Sequence, residues 1–439
     1  MAFRSKLLAL ALATAVILGG SQALANQDLF LELEQAAQSS RELELLEPLD
    51  VEIVTRDQFQ QEQRESLEED IEREGADDWN VLLVFLGFIQ EDENIYELYN
   101  SFISDQVLGS YDPESKQLIV ISTNTDEWNA TDKTTFVHET VHALQDQHFD
   151  IMSLYGDTSA VTDDQFYAVR SLVEGDASVA EIIYIVENDL LDQILEEYEN
   201  MESASTDGIP FFLVETMTFY YDEGSSFVMS LWRDGGWNAV NSAWENPPTT
   251  SEQILHPEKY HDGEGAIHVA IEDPQPIFGD EWRIIEDNAW GELGTRVFLE
   301  NSGASSRDAS AAAEGWGGDG VYVITNDEES AMVWTTAWDS EDDAIEFVET
   351  LGNAESERLG ASSEVGDDAT VLLAGDGWFG EIHRDGDVVT YYLTQTEVSM
   401  GLMIESQTDA GLHHTASPSP DATPAGNTGT GIAFWVREN

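Results

Sequence analysis

Apolar and polar positions follow two different rhythms along this chain, and the change falls near residue 263. Before it, most periodic stretches repeat at helical spacing. Asp78–Gln106 and Asp164–Leu195 carry apolar residues every three or four positions, the second through Phe166, Val169, Leu172, Val173, Val179 and Ile182. Gln58–Glu74 reads as a helix too, while Pro210–Trp232 and Asn238–Trp244 are mixed apolar stretches. Two strands are expected among them: Val51–Thr55, and Tyr111–Thr123 after an Asp112-Pro113 turn. The latter leads into a helix with an apolar stripe of Phe136, Val137, Val141 and Leu144. Asn129–Asp132 offers its N-cap, with Thr131 or Asp132 just ahead of the first turn.

Gly and acidic residues cluster at Asp262–Gly265, and beyond them the elements shorten. Strands are expected at Ala266–Ile271, Gly320–Thr325, Met332–Trp338, Thr370–Ala374, Trp378–His383 and Val388–Thr394. Helices are expected at Gly291–Asn301, Ser340–Leu351 and Glu397–Ser406. The fold class this predicts is α+β. A mainly helical domain with a small sheet covers 26–262, a smaller α+β domain covers 263–411, and a Pro/Ser/Thr-rich flexible tail covers 412–439.

Residues 1–25 are expected to lie outside the fold. A basic start, an apolar run and Ala23-Leu24-Ala25 make a signal peptide, with export and a mature start at Asn26. Gln27–Asp50 is a candidate pro-segment. The apolar stretch Val81–Ile89 is too short to span a bilayer, so no membrane span is expected.

Charge sharpens the picture. The formal net charge is −71, from 88 acidic against 17 basic residues, spread over a chain that is still 41% hydrophobic. Self-repulsion of this size opposes compaction at low ionic strength. At about 1 M salt the Debye length shrinks to about 3 Å and the repulsion largely vanishes. A folded, secreted protein of a hypersaline setting follows, and nucleic-acid binding is excluded because phosphates need cations. With no cysteine in the chain, disulfides are absent and a metal must be held by His, Asp or Glu.

The candidate chemistry sits in His138-Glu139-Thr140-Val141-His142. Two histidines four apart lie on one helix face, so both imidazoles can reach one ion, and Glu139 can reach the water on it. This HExxH pattern is a general signature of zinc proteases. A catalytic zinc has three protein ligands and an open position. Two residues could supply the third ligand. His148 completes HExxHxxQxxH, but ten residues of continuous helix turn about 1000°, leaving it about 80° off the face of His138. Reaching the metal would require the chain to turn away at Gln145, where Gly is the suitable residue. Glu174, an acidic residue in an otherwise apolar helical segment, needs a partner inside and is the preferred ligand. His148 is expected to pack at the helix end instead.

The segment VHETVHALQDQHFD at 137–150, followed by LVEGDA at 172–177, resembles a family of secreted prokaryotic HExxH proteins that includes haloarchaeal surface proteins. More broadly it is similar to gluzincin zinc metallopeptidases. The resemblance extends from Val107 to Tyr260, and more weakly to GWGGDG at 315–320 and the segment 333–347. It implies a zincin-like metallopeptidase domain, Zn2+ on His138, His142 and Glu174, and Glu139 as the catalytic base. Many gluzincins orient a ligand histidine with an Asp four residues after the Glu ligand; here that position is Ser178, and Asp176 lies on another face.

The expected reaction is hydrolysis of a protein or peptide substrate by zinc-activated water, with Glu139 passing the proton to the leaving amine. Tyr220, Tyr221 and His256 are candidates for stabilising the oxyanion, with Tyr221 and His256 carried forward. Asp146 is expected at a solvated helix end. The alternatives are a zinc-binding, non-proteolytic surface protein and a structural protein with a vestigial site.

Overall fold

The structure, a computed structural model, describes residues 22–61, 64, 76–121, 128–155, 161–200, 208–365, 370–375 and 377–407. Residues 1–21 of the expected signal peptide at 1–25, most of the helix expected at Gln58–Glu74 and the expected tail at 412–439 lie outside the described residues. Helices and sheets are both present, as the α+β reading requires.

Helix α1 (Gln22–Arg41) precedes strand β1 (Asp50–Val54). The stretch expected as one helix over 78–106 is two, α2 (Ala76–Leu86) and α3 (Ile95–Gln106). Gly87 takes a left-handed φ of 79° at the break, and the Asn94 side chain accepts from the backbone of Tyr96 and Glu97 to start the second helix. The single strand expected at 111–123 is likewise a hairpin, β2 (Gly109–Asp112) and β3 (Gln117–Ile121). Asp112 turns it by accepting the backbone N–H groups of Glu114 and Ser115. The three strands form a sheet in the order β1-β3-β2, β1 parallel and β2 antiparallel to β3.

Helix α4 (Ala130–Phe149) carries the HExxH residues. Its N-cap is Asn129, with Asp132 completing a reciprocal capping box, so Asp132 lies inside the first turn and not ahead of it. A second carboxylate, Glu197 of a following helix, accepts from the N–H groups of Ala130 and Thr131 at 2.9 and 2.8 Å. Negative charge at both places suits the positive end of the helix dipole.

Helix α5 (Asp163–Glu187) is followed by α6 (Leu191–Asn200), α7 (Phe211–Gly235) and α8 (Trp237–Glu245). Helices α5 and α7 touch backbone to backbone. A Cβ on Gly175 would stand 2.2 Å from the carbonyl oxygen of Gly224, and one on Gly224 2.4 Å from that of Ser171. Only glycine fits at both crossings, and the closeness brings Glu174 and Tyr221 together. Two short helices, α9 (Ser251–Leu255) and α10 (Pro257–Asp262), end the helical half.

The remainder is built on a seven-stranded antiparallel sheet whose first strand is β4 (Arg283–Asn288). Then come α11 (Gly291–Asn301), α12 (Ser306–Ala313), β5 (Trp316–Thr325), β6 (Ser330–Trp338), α13 (Glu341–Arg358), β7 (Ser362–Val365), β8 (Thr370–Gly375), β9 (Trp378–Asp385), β10 (Val388–Thr394) and α14 (Glu397–Gln407). The sheet order is β4-β5-β6-β10-β9-β8-β7. Phe347 of α13 packs on Trp334 and Trp338 from one face, while Met403 of α14 shares a cluster with Trp282, Val333 and Tyr392 on the other. Every position of β6 is therefore buried. Strand β4 and helix α12 were not foreseen. The expected strand Ala266–Ile271 is an extended segment that docks over β5 through Ile267 N–H and Gly317 O, outside the sheet order.

The two expected domains share one core. A single cluster of buried side chains runs from Leu33 to Leu393 and includes Phe88, Phe212 and Phe298 at the junction. Polar ties cross the expected boundary as well: Asn288 Oδ1 accepts the N–H of Asp163 at 2.9 Å, and Ser251 Oγ accepts that of Leu293 at 3.1 Å. Helix α1, which runs through the expected mature start at Asn26 into the candidate pro-segment Gln27–Asp50, is also part of this core through Leu33 and Ala37. Among the described residues no helix is long and apolar enough to cross a membrane.

The surface charge leads to one expected outcome. A circular dichroism melt should shift to higher temperature as NaCl rises from about 0.1 M to molar levels, as the Debye length shortens from about 10 to about 3 Å. An unchanged melt would remove the halophilic reading.

Candidate metal centre

Helix α4 presents His138 and His142 on one face, and their rings meet edge to face with centroids 4.8 Å apart. Helix α5 crosses opposite and supplies Glu174. The three form a buried group that could hold a metal ion. Glu174 Oε2 stands 3.3 Å from each imidazole Nε2, and the two Nε2 atoms are 3.1 Å apart.

The atoms behind the imidazoles explain what the convergence means. His142 Nδ1 lies 2.8 Å from Gln145 Oε1, and the Gln145 amide nitrogen donates to Val173 O, which fixes the amide orientation. His142 therefore carries its hydrogen on Nδ1. His138 Nδ1 lies 3.1 Å from a Glu181 carboxylate oxygen, which places its hydrogen there as well. Both Nε2 atoms then offer lone pairs to the same point as a carboxylate oxygen. Three electron-pair donors this close repel one another unless a cation or a shared proton lies between them. Histidine ligands held in one tautomer by a second partner are the usual arrangement in metal sites.

The carboxylates that would attract a metal cation also attract a proton. Burial opposes a positive His138, but Glu174 and Glu181 outweigh it and push that imidazole well above its ordinary range. Burial likewise opposes ionised Glu174, yet Arg170 and the two histidines hold its carboxyl well below the usual range. Glu139 is 7% exposed and faces the same cluster. Burial pushes its carboxyl up, against the pull of the two imidazoles.

Of the expected oxyanion residues, the structure brings one to the cluster. Consecutive helix positions point about 100° apart, so Tyr220 and Tyr221 cannot both face the site. Tyr220 is buried and meets Phe166 edge to face. The Tyr221 ring lies at the rim of the cluster, 40% exposed, with its centroid 6.2 Å from that of His138. His256 is instead paired with Glu292 of α11 at 3.0 Å. Among the described residues no hydrogen bond or ion pair joins it to the cluster.

The alternative ligand is not at the site. Helix α4 runs unbroken through Gln145, and His148 sits in its last turn with Nε2 2.8 Å from Glu44 O. Asp146 is buried, not solvated: it accepts the Tyr111 hydroxyl at 2.8 Å and Lys116 Nζ at 2.6 Å, tying α4 to the β2–β3 hairpin. Asp176, beside Glu174 in sequence, pairs with Arg41 of α1. A second group of carboxylates, Glu252, Glu264 and Asp339, surrounds Lys259 Nζ at 2.5 to 2.9 Å and is filled by that ammonium.

Sequence reasoning missed Glu181, Gln145 and Arg170. Glu181 stands seven residues after Glu174, two turns along one face, which is a readable signal. Gln145 stands three after His142, equally local. Arg170 is four before Glu174.

Residues 282–400 match the family described as Domain of unknown function (DUF8575), which covers the sheet half and none of the metal cluster. No curated protein and no solved structure matches the chain.

Proposed function

We propose that this chain is an exported, salt-adapted zinc metallopeptidase of gluzincin type, with a zincin-like helical half carrying the site. The observation that carries the reading is the convergence of three lone-pair donors beside a buried carboxylate. Donors of a tetrahedral zinc ion with bonds of about 2.0–2.1 Å stand roughly 3.3–3.4 Å apart. The separations among His138, His142 and Glu174 are 3.1 to 3.3 Å.

Zinc, when bound, acidifies water from a pKa of about 15.7 towards 7 and polarises a scissile carbonyl. The chain's own residues do the rest. Glu139 accepts a proton from the attacking water and delivers it to the leaving amine. Tyr221, at the edge of the cluster, is the hydroxyl placed to donate to the developing oxyanion. Retention of Glu139 also separates this reading from structural zinc, which has no use for a base.

Substrate access has a feature of its own. Strand β2 is an outer strand of the small sheet, and a Cβ on its Gly109 would come 3.0 Å from Glu139 Cγ. A peptide paired along that free edge would pass beside the base. Protein or peptide is therefore the proposed substrate. The basic-then-apolar start of the chain supports export.

Full-length protein purified in molar salt should contain about one zinc per chain and hydrolyse casein. Chelation should remove both, and zinc should restore both. Zinc without hydrolysis would favour a non-proteolytic binding protein. Absence of metal together with chelator-resistant hydrolysis would end the reading.

A further inference from the structure

We infer that Arg170 is a positioning residue that confines Glu174 to coordination through one oxygen, keeping a fourth place on the bound ion open. The inference rests on the metal reading above and concerns a residue that no part of that reading requires.

The two oxygens of Glu174 have different partners. Oε2 faces both histidines at 3.3 Å, whereas Oε1 pairs with Arg170 Nη2 at 2.8 Å. Arg170 lies one turn before Glu174 on α5, and their side chains are 21% and 2% exposed. A surface pair at this spacing is worth only a few tenths of a kcal/mol and would matter little. Here one partner is buried, and Arg cannot shed its charge. Rotating Oε1 towards an ion would break a charge-assisted hydrogen bond to a largely buried guanidinium. The carboxylate is therefore held edge-on, one oxygen to each side.

There is a second consequence in charge. Two neutral imidazoles and one carboxylate contribute a single negative charge, and Arg170 offsets it. Less of the ion's positive charge would then be cancelled by its carboxylate ligand. Without the guanidinium the carboxylate is free to close on the ion with both oxygens, and the cation nearby no longer repels it.

The test uses the full chain in molar salt, loaded with Co2+, as wild type, Arg170→Met and Arg170→Lys. Wild type should show the intense visible absorption of four-coordinate cobalt, and X-ray absorption at the metal should find one carboxylate oxygen. Arg170→Met should lose the intense band for the weaker one of five-coordination and bind metal more tightly; Arg170→Lys should recover much of the wild-type band. A residue with a merely structural role would weaken metal binding and leave the band shape alone. Wild-type cobalt with both carboxylate oxygens bound, or an Arg170→Met spectrum equal to wild type, overturns the inference while leaving the metal site standing. Wild type that takes up no cobalt overturns both. Should Arg170→Met fail to fold, the wild-type X-ray absorption decides.

Discussion

Glu139→Gln is expected to keep its metal and to lose casein hydrolysis by about 10²–10⁴-fold, the usual contribution of a general base. The change is isosteric and removes only the ability to take a proton. The three donor atoms lie on other residues, so metal content measured in molar salt should equal wild type. His142→Ala is the contrast: it removes a donor and should lose metal and hydrolysis together. The pair of variants separates a base from a ligand, which neither does alone. Full casein hydrolysis by Glu139→Gln would sink the mechanism, whatever its metal content.

The second large effect lies away from the chemistry. Arg41→Met is expected to lower unfolding stability in molar salt by about 3–5 kcal/mol, the cost of leaving a buried charge without its partner. Arg41 and Asp176 are both fully buried and bonded through Nε–Oδ1 at 2.5 Å and Nη2–Oδ2 at 2.9 Å. Asp176 also accepts Trp244 Nε1 at 2.7 Å, and the guanidinium stacks 4.3 Å from the Trp237 ring centroid. The pair thus joins α1, α5 and α8, two residues from Glu174. Removing the cation leaves Asp176 with one indole N–H inside the core. Adding Asp176→Asn to Arg41→Met should recover part of the loss, because no charge then remains buried. Denaturant titration of the wild type and the two variants measures this. An Arg41→Met curve coincident with wild type would show the pair to be inert. The same contact makes the earlier pro-segment reading of Gln27–Asp50 costly, since removing that segment would remove Arg41.

Much of this was readable from local pattern. The α4 histidines face one point because four residues make about one helical turn, and Glu174 stood out as a charge in an apolar segment. Helix α11 and strand β10 fall where their periodicity put them. Where local reading failed, turn chemistry intervened: Gly87 and Asn94 split one expected helix, and Asp112 folded one expected strand into a hairpin.

Donor types, their one-turn spacing and the net charge of −71 are legible in the chain, because each is a property of composition or of one helix. Only the packing of helices settles that Glu174 arrives opposite them, that Tyr221 lies at the cluster while Tyr220 enters the core, and that Asp176 belongs to Arg41. Those outcomes depend on how α5 crosses α4 and α7, and on two glycines that let helices touch. A crossing is fixed by packing between segments distant in the chain, and periodicity within one segment carries no record of it.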